Sequence, residues 1–279
     1  MKVKVLYDQG TACVAEDGIV FYPPCYFGVT DGVSGVYLPQ EGPRLFNQLT
    51  GGQLASKIIS RFFGLTIPGE TLEDILRRAN NMLREISKEA KISLQESELL
   101  PSASFVVVRL DSPEVSILQG GDSLAIWQMK DGTIGGTPNK VYSYEKELLQ
   151  IVAGLMKKHK GDRQKMWKEY RPTLIEKRRT NANTEEGGFA VLNGQPEFEC
   201  FWQKFTLPRQ EIRFLVLFSD GFIPFEWTGN VFGMAGEMIR LYRKGELHSI
   251  LEATRVIADK KKSLTHEDYA EATAIAIEF

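Results

Sequence analysis

Cysteine and histidine are both scarce in this chain, three of each in 279 residues. Cys13, Cys25 and Cys200 are odd in number and form no C-x-x-C, so neither a disulfide framework nor a zinc site is indicated. A reducing, cytoplasmic setting is expected. His159, His248 and His266 are scattered, with no H-E-x-x-H and no nucleophile–base signature beside the cysteines. Long apolar runs are missing too. The longest purely apolar strand is Phe214–Phe218, far short of a membrane span, and Met1–Asp8 has no stretch long enough for a signal peptide. Neither sign of charge dominates: 34 Lys and Arg face 36 Asp and Glu, a net charge of −2 that argues against nucleic acid as the main partner. Gly51-Gly52, Gly135-Gly136 and Gly187-Gly188 lack the Lys or the strand–helix context of a phosphate loop and read as turns.

What remains is an ordinary globular composition, 43% hydrophobic and 25% charged, with ample length for a sizeable core in one domain. Period-2 alternation predicts strands at Lys2–Leu6, Ile19–Tyr22 and Tyr26–Thr30. Helical spacing follows at Gly51–Phe63 and from Thr71 to Lys91. In the second helix Leu72, Ile75, Leu76, Ala79, Met82, Leu83, Ile86 and Ala90 form a core stripe, and Thr71 with Asp74 resembles a capping box. Ser104–Leu110, Val115–Leu118 and Leu124–Met129 read as a β-meander turning through Gly120-Gly121-Asp122-Ser123. Tyr144–His159 is helical. Phe198–Leu207 and Ile212–Phe218 read as paired strands, Asn230–Lys244 and Glu246–Lys260 as helices, and Thr273–Phe279 as a buried last strand. Strands clustered in hairpins with helices grouped between them predict an α+β fold.

Between 157 and 179 the chain holds ten Lys or Arg against three acidic residues, with Trp167 and Tyr170 among them. This reads first as a solvated helical face and, in the sharper alternative, as a docking surface for an acidic partner.

Two apolar strands end in the same way. Phe27-Gly28-Val29-Thr30 runs into Asp31-Gly32, and Phe214–Phe218 runs through Ser219 into Asp220-Gly221. Asp-Gly is a common turn after a strand, so either pair alone is weak. If the fold brings them together, carboxylates converging at strand ends suit hard divalent cations such as magnesium or manganese.

Acidic residues at strand ends recur in five places: AED at 15–17, FGVTDGVSG at 27–35, GGDS at 120–123, LVLFSDGF at 215–222 and EATAIAI at 271–277. In this order they resemble the motif series of the metal-dependent protein phosphatases (PPM, type 2C). Ser102-Ala103-Ser104 is similar to the start of that family's central strand. The resemblance spans residues 10 to 277, and 140–186 reads as a family-variable insertion in a single domain covering 1–279. It implies a four-layer αββα sandwich of two antiparallel sheets flanked by helices. It also implies hydrolysis of phosphoserine and phosphothreonine in proteins, with two manganese or magnesium ions and a third weaker one.

By the same resemblance Asp31 would bridge two ions holding a shared water, which attacks phosphorus as hydroxide. Asp220 would ligate one ion, the Gly32 carbonyl the other, and Asp122 the third. Glu16 and Asp17 would hold metal-bound waters. Three positions depart from the family. Val33 stands where many members have His, Ala12 falls where an Arg grips the phosphate, and Ala270 replaces the last metal-binding Asp. Either Asp268 or Glu271 would have to supply that ligand, or that ion would be weakly held. The alternative is a pseudophosphatase of the same fold that binds a partner without turnover.

Overall fold

The computed structural model describes residues 1–36, 42–67, 69–110, 113–223, 230–265 and 269–279. In chain order the elements are β1 (Lys2–Asp8), β2 (Gly18–Tyr22), β3 (Tyr26–Val33), β4 (Leu45–Phe46), β5 (Leu49–Thr50), α1 (Gly51–Phe63) and α2 (Leu72–Glu89). There follow β6 (Ser102–Leu110), β7 (Glu114–Gly120), β8 (Leu124–Met129), β9 (Ile134–Gly136), α3 (Tyr142–Lys158) and α4 (Arg163–Asn181). The chain closes with β10 (Gln203–Pro208), β11 (Ile212–Phe218), α5 (Val231–Thr265) and β12 (Ala272–Glu278). Non-helical backbone at Gly245 and Glu246 divides α5 where the sequence predicts two helices.

Two antiparallel five-stranded sheets, ordered β1-β12-β11-β8-β9 and β10-β7-β6-β3-β2, lie face to face. The inner strands β6, β11 and β12 are apolar on both sides because both sides are covered. Val29, Val106, Val108, Ile117, Leu215, Leu217, Ile275 and Ile277 fill the space between the sheets. The alternate residues Phe105, Val107 and Leu118 face Ile58, Ile59, Ile75, Leu76 and Leu83 of α1 and α2. On the other side Phe214, Val216 and Phe218 meet Met234, Met238 and Ile239 of α5. The result is four layers, helix–sheet–sheet–helix. The capping boxes are present: Thr50 with Gln53 starts α1, and Thr71 with Asp74 starts α2. Met82, counted in the apolar stripe, is 44% exposed.

Two strand pairings differ from expectation. β8 does not continue a meander after β7: β7 pairs with β6 and β10, whereas β8 pairs with β11 and β9 in the other sheet. Likewise β10 and β11 are not partners, since β10 lies on β7 and β11 lies between β8 and β12. β8 is apolar on both faces and looks the same in either sheet, and the one-sided alternation of β10 says which face is buried but not which strand it pairs with. The crossing from β7 to β8 is made at Gly121, whose φ of +76° suits glycine and turns the chain from one sheet into the other. It leaves Asp122 on the seam between them.

The stretch 140–186 contributes α3 and α4 as a helical hairpin. Its ion pairs Lys158–Glu169 (2.5 Å) and Lys177–Glu147 (2.9 Å) tie the two helices antiparallel. Lys165 pairs with Asp162 (3.0 Å) at the start of α4, and Arg179 pairs with the buried Glu98. Tyr170 and Leu174 of α4 are buried with Val36, while α3 buries none of its residues. No helix among the described residues is long and apolar enough to cross a membrane.

Candidate metal centre

Four carboxylates from separate parts of the chain meet at strand ends of the two sheets. Asp31 is in β3, with Ser104 of β6 as its cross-strand partner. Asp220 opens the 3-10 turn Asp220–Phe222 that ends β11. Asp122 sits in the corner between β7 and β8, and Asp17 precedes β2.

Their crowding shows in their acidities. Burial, followed by the charges of Asp220, Asp17 and Asp122, raises the Asp31 carboxyl well above the ordinary carboxylate range. Partial loss of hydration together with Asp122 and Asp17 pushes Asp220 up to about 7. Asp17 is pushed up to about 6, first by burial and then by Glu271 and Asp122, against the opposing pull of the Thr273 and Ser219 hydroxyls. Ser219 Oγ donates to Asp17 Oδ2 at 2.7 Å and accepts from Thr273 N at 3.0 Å, which fixes Asp17 against β11 and β12.

Gly32 follows Asp31 for a steric reason. A Cβ there would lie 2.6 Å from the Gly52 carbonyl group and 2.7 Å from the Glu16 carbonyl oxygen. The β3 end is therefore pressed against the start of α1, leaving no space for a side chain.

Glu16 is placed differently from its neighbour Asp17. Its Oε1 accepts short hydrogen bonds from Ser34 and Thr50, and its backbone N–H donates to Glu271 Oε2 at 2.8 Å. Ser56 Oγ donates to the Glu16 carbonyl at 2.7 Å. Glu16 thus buckles the end of β3 to α1. The other oxygen of Glu271, Oε1, is buried without a hydrogen-bond partner among the described residues. Ala270 offers its carbonyl to Arg255 Nη1 at 2.8 Å and no ligand side chain. Asp268 lies outside the described residues. Ala12 sits in the loop after β1, its carbonyl bonded by Gln9 Nε2 at 2.8 Å.

The donor set fits a hard divalent cation: it is all carboxylate oxygen, and the charges of its members hold one another's acidity down. One oxygen each from Asp122, Asp220 and a fifth carboxylate, Glu145, lie within 4.8 Å of one another.

No protein-family profile matches the chain, and no curated protein sequence does. Solved structures do. Over its whole length the chain superposes on the serine/threonine phosphatase PstP/Ppp of Mycobacterium tuberculosis, with a TM-score of 0.58, 14% identity and 98% of that chain covered. It superposes equally on the serine/threonine phosphatase Stp1 of Staphylococcus aureus, with a TM-score of 0.56, 16% identity and 94% of that chain covered. The chain has the fold of the PPM-type serine/threonine phosphatases. PppA of Pseudomonas aeruginosa, described as a key regulatory component of T6SS, has the same fold, with a TM-score of 0.57 and 12% identity over 100% of this chain and 97% of that one. The catalytic domain of PstP was also solved in complex with two manganese ions, at 13% identity and a TM-score of 0.55 over 99% of this chain and 96% of that one.

Within this PPM fold, Glu145 is the residue that the motif series does not contain. It lies in the first turn of α3, which Asn139 begins by accepting from Val141 N at 2.8 Å and Tyr142 N at 3.1 Å. Burial and then Asp122 and Asp220 push its carboxyl up to about 8. The legible signals were Asn139 as a helix start and a carboxylate in the turn after it. Neither says which way the helix lies.

Proposed function

We propose that the protein is a metal-dependent phosphatase that removes phosphate from phosphoserine and phosphothreonine in proteins of a reducing cytoplasm. The observation that carries the reading is the convergence of Asp17, Asp31, Asp122 and Asp220 from four distant segments at one edge of a PPM fold. Asp31 and Asp220 are the residues we assign to two divalent ions, manganese or magnesium, with the Gly32 carbonyl as a further ligand. Such ions, once held, lower the pKa of water and offset charge on the phosphoryl oxygens.

The remaining roles belong to the chain itself. Asp17, held by Ser219, orients water at the rim of the centre. The Glu16 buckle to Ser34 and Thr50 keeps the Asp31-Gly32 turn against α1, so that Asp31 stays fixed when its surroundings change charge. Val33 carries no titratable group, so the proton taken up by the leaving oxygen comes from solvent. This favours substrates with good leaving groups.

A second reading, a binding protein of the same fold without turnover, is favoured by one observation: Ala270 supplies no carboxylate beside Glu271. Hydrolysis of p-nitrophenyl phosphate and of a phosphothreonine peptide, with manganese and with excess EDTA, separates the two. We expect manganese-dependent turnover that EDTA abolishes and that Asp31→Asn lowers by about 100-fold or more. The metal-free melting temperature of Asp31→Asn should be no lower than that of the wild type. Manganese binding without turnover would establish the binding protein, and undiminished turnover in Asp31→Asn would remove the metal mechanism.

A further inference from the structure

We propose that the cavity between the α3–α4 hairpin and the ends of β3 and β6 is a substrate pocket. It takes an apolar side chain lying within two residues of the phosphorylated serine or threonine. The inference rests on reading the protein as a phosphatase, and it names the class of phosphoprotein that the centre favours.

The first argument is position. Asp31 and Val33 lie on the same face of β3, paired with Ser104 and Ser102 of β6. Asp31 belongs to the acidic centre, whereas Val33, Ser102 and Ser104 line a cavity of about 250 Å³, as do Asp122 and Glu145. Centre and cavity therefore share a wall, and Val33 is one strand repeat, about 6–7 Å, from Asp31. Residues two apart in an extended peptide are spaced by the same repeat. A phosphoresidue held at the acidic centre thus brings a neighbouring side chain over the cavity.

The second argument is the chemistry of the lining. Val33, Val141, Leu148, Leu174 and Phe189 form apolar walls. The cavity is far larger than the ~10–15 Å³ that lodges a single water, and walls of this kind give water few partners. An apolar side chain is the occupant they suit. Its peptide group also finds donors there. Ser97, 7% exposed, lines the cavity with an Oγ that has no hydrogen-bond partner among the described residues. Arg178 lines it too: its Nη1 donates to the Ser34 carbonyl at 2.9 Å, and it makes no ion pair among the described residues, since Glu98 is taken by Arg179. A hydroxyl and a guanidinium suit the carbonyl oxygens of an incoming peptide, so the occupant is a residue of the substrate chain.

The test uses the full chain with manganese and phosphothreonine peptides built on serine and glycine. A single leucine is placed in turn at each position from two before to two after the phosphothreonine. In the wild type, leucine at one of these positions should raise kcat/KM about tenfold or more over the leucine-free peptide, the effect of burying such a side chain. In Leu148→Trp, which fills the cavity, that preference should be lost while turnover of p-nitrophenyl phosphate stays as in the wild type. Leu149→Trp, one residue on and 65% exposed, should keep the preference. Leu148→Ala, which widens the cavity, should favour tryptophan over leucine at the same position. Equal kcat/KM for all the peptides, with p-nitrophenyl phosphate still hydrolysed, would overturn the inference and leave the phosphatase reading standing. So would a leucine preference that survives unchanged in Leu148→Trp. A wild type that hydrolyses neither p-nitrophenyl phosphate nor any peptide would remove the phosphatase reading, and the inference with it.

Discussion

Helices α2 and α3 are nearly equal in length, 18 and 17 residues, and they are held in opposite ways. Helix α2 lays Leu72, Ile75, Leu76, Ala79 and Leu83 against the sheet and starts in a complete capping box. Helix α3 has as many large apolar side chains, among them Leu148, Leu149, Ile151, Val152 and Leu155, yet none is buried and Leu149 is 65% exposed. The apolar face of α2 meets a sheet. That of α3 packs mainly on its partner helix, and the hairpin meets the body through Tyr170 and Leu174 on Val36, Tyr144 on Phe189, Arg178 on Ser34 and Arg179 on Glu98. The body of this fold is thus held by extensive burial, and its insertion by a small apolar cluster together with a few polar contacts.

The largest expected effect tests the burial side. Leu76 is fully buried, so Leu76→Ala should cost about 2–5 kcal/mol in urea unfolding. The same truncation at half-buried Leu148 should cost far less, and equal losses would break the comparison.

The next concerns the acidic centre in EDTA. Asp17, Asp220 and Glu145 titrate near 6, 7 and 8 in the folded chain, against ordinary values of 3.8 for Asp and 4.5 for Glu. Between those limits the folded state binds more protons than the unfolded one, so stability falls as pH rises. The melting temperature should therefore drop from pH 5.5 to pH 8.5, with a shallower slope in Asp220→Asn and after manganese is added. A flat or rising profile in EDTA would show that the carboxylates do not burden one another.

The smallest effect tests a polar tie. Arg179→Ala removes the partner of buried Glu98 and should cost about 1 kcal/mol. It should also make the hairpin more open to limited proteolysis while leaving the body protected. Loss of the whole fold would place Arg179 among the body's supports.

Much was legible in the chain. Thr71 with Asp74 marked the start of α2, helical spacing gave α1 and α2, and two strands ending in Asp-Gly gave the places where carboxylates gather. These features are local: a capping residue, a period of 3.6 or 2, and a glycine that permits close approach act within one or two turns. Met82 shows the limit even there, since an apolar residue at the right spacing still stands outside the buried stripe.

What only the tertiary structure decided is which distant groups meet. Alternating apolar strands fit either sheet, so the crossing at Gly121 and the separation of β10 from β11 were set by pairing and not by pattern. Glu16 and Asp17 are adjacent in sequence, but one is spent on the hydroxyls of Ser34 and Thr50 while the other joins the acidic centre. That division follows from how β3 is pressed against α1. Glu145 is the clearest case. Its spacing marks only a helical surface, and it reaches Asp122 and Asp220 because the helical hairpin lies beside the corner between the two sheets, an outcome of long-range packing that no local pattern of residues encodes.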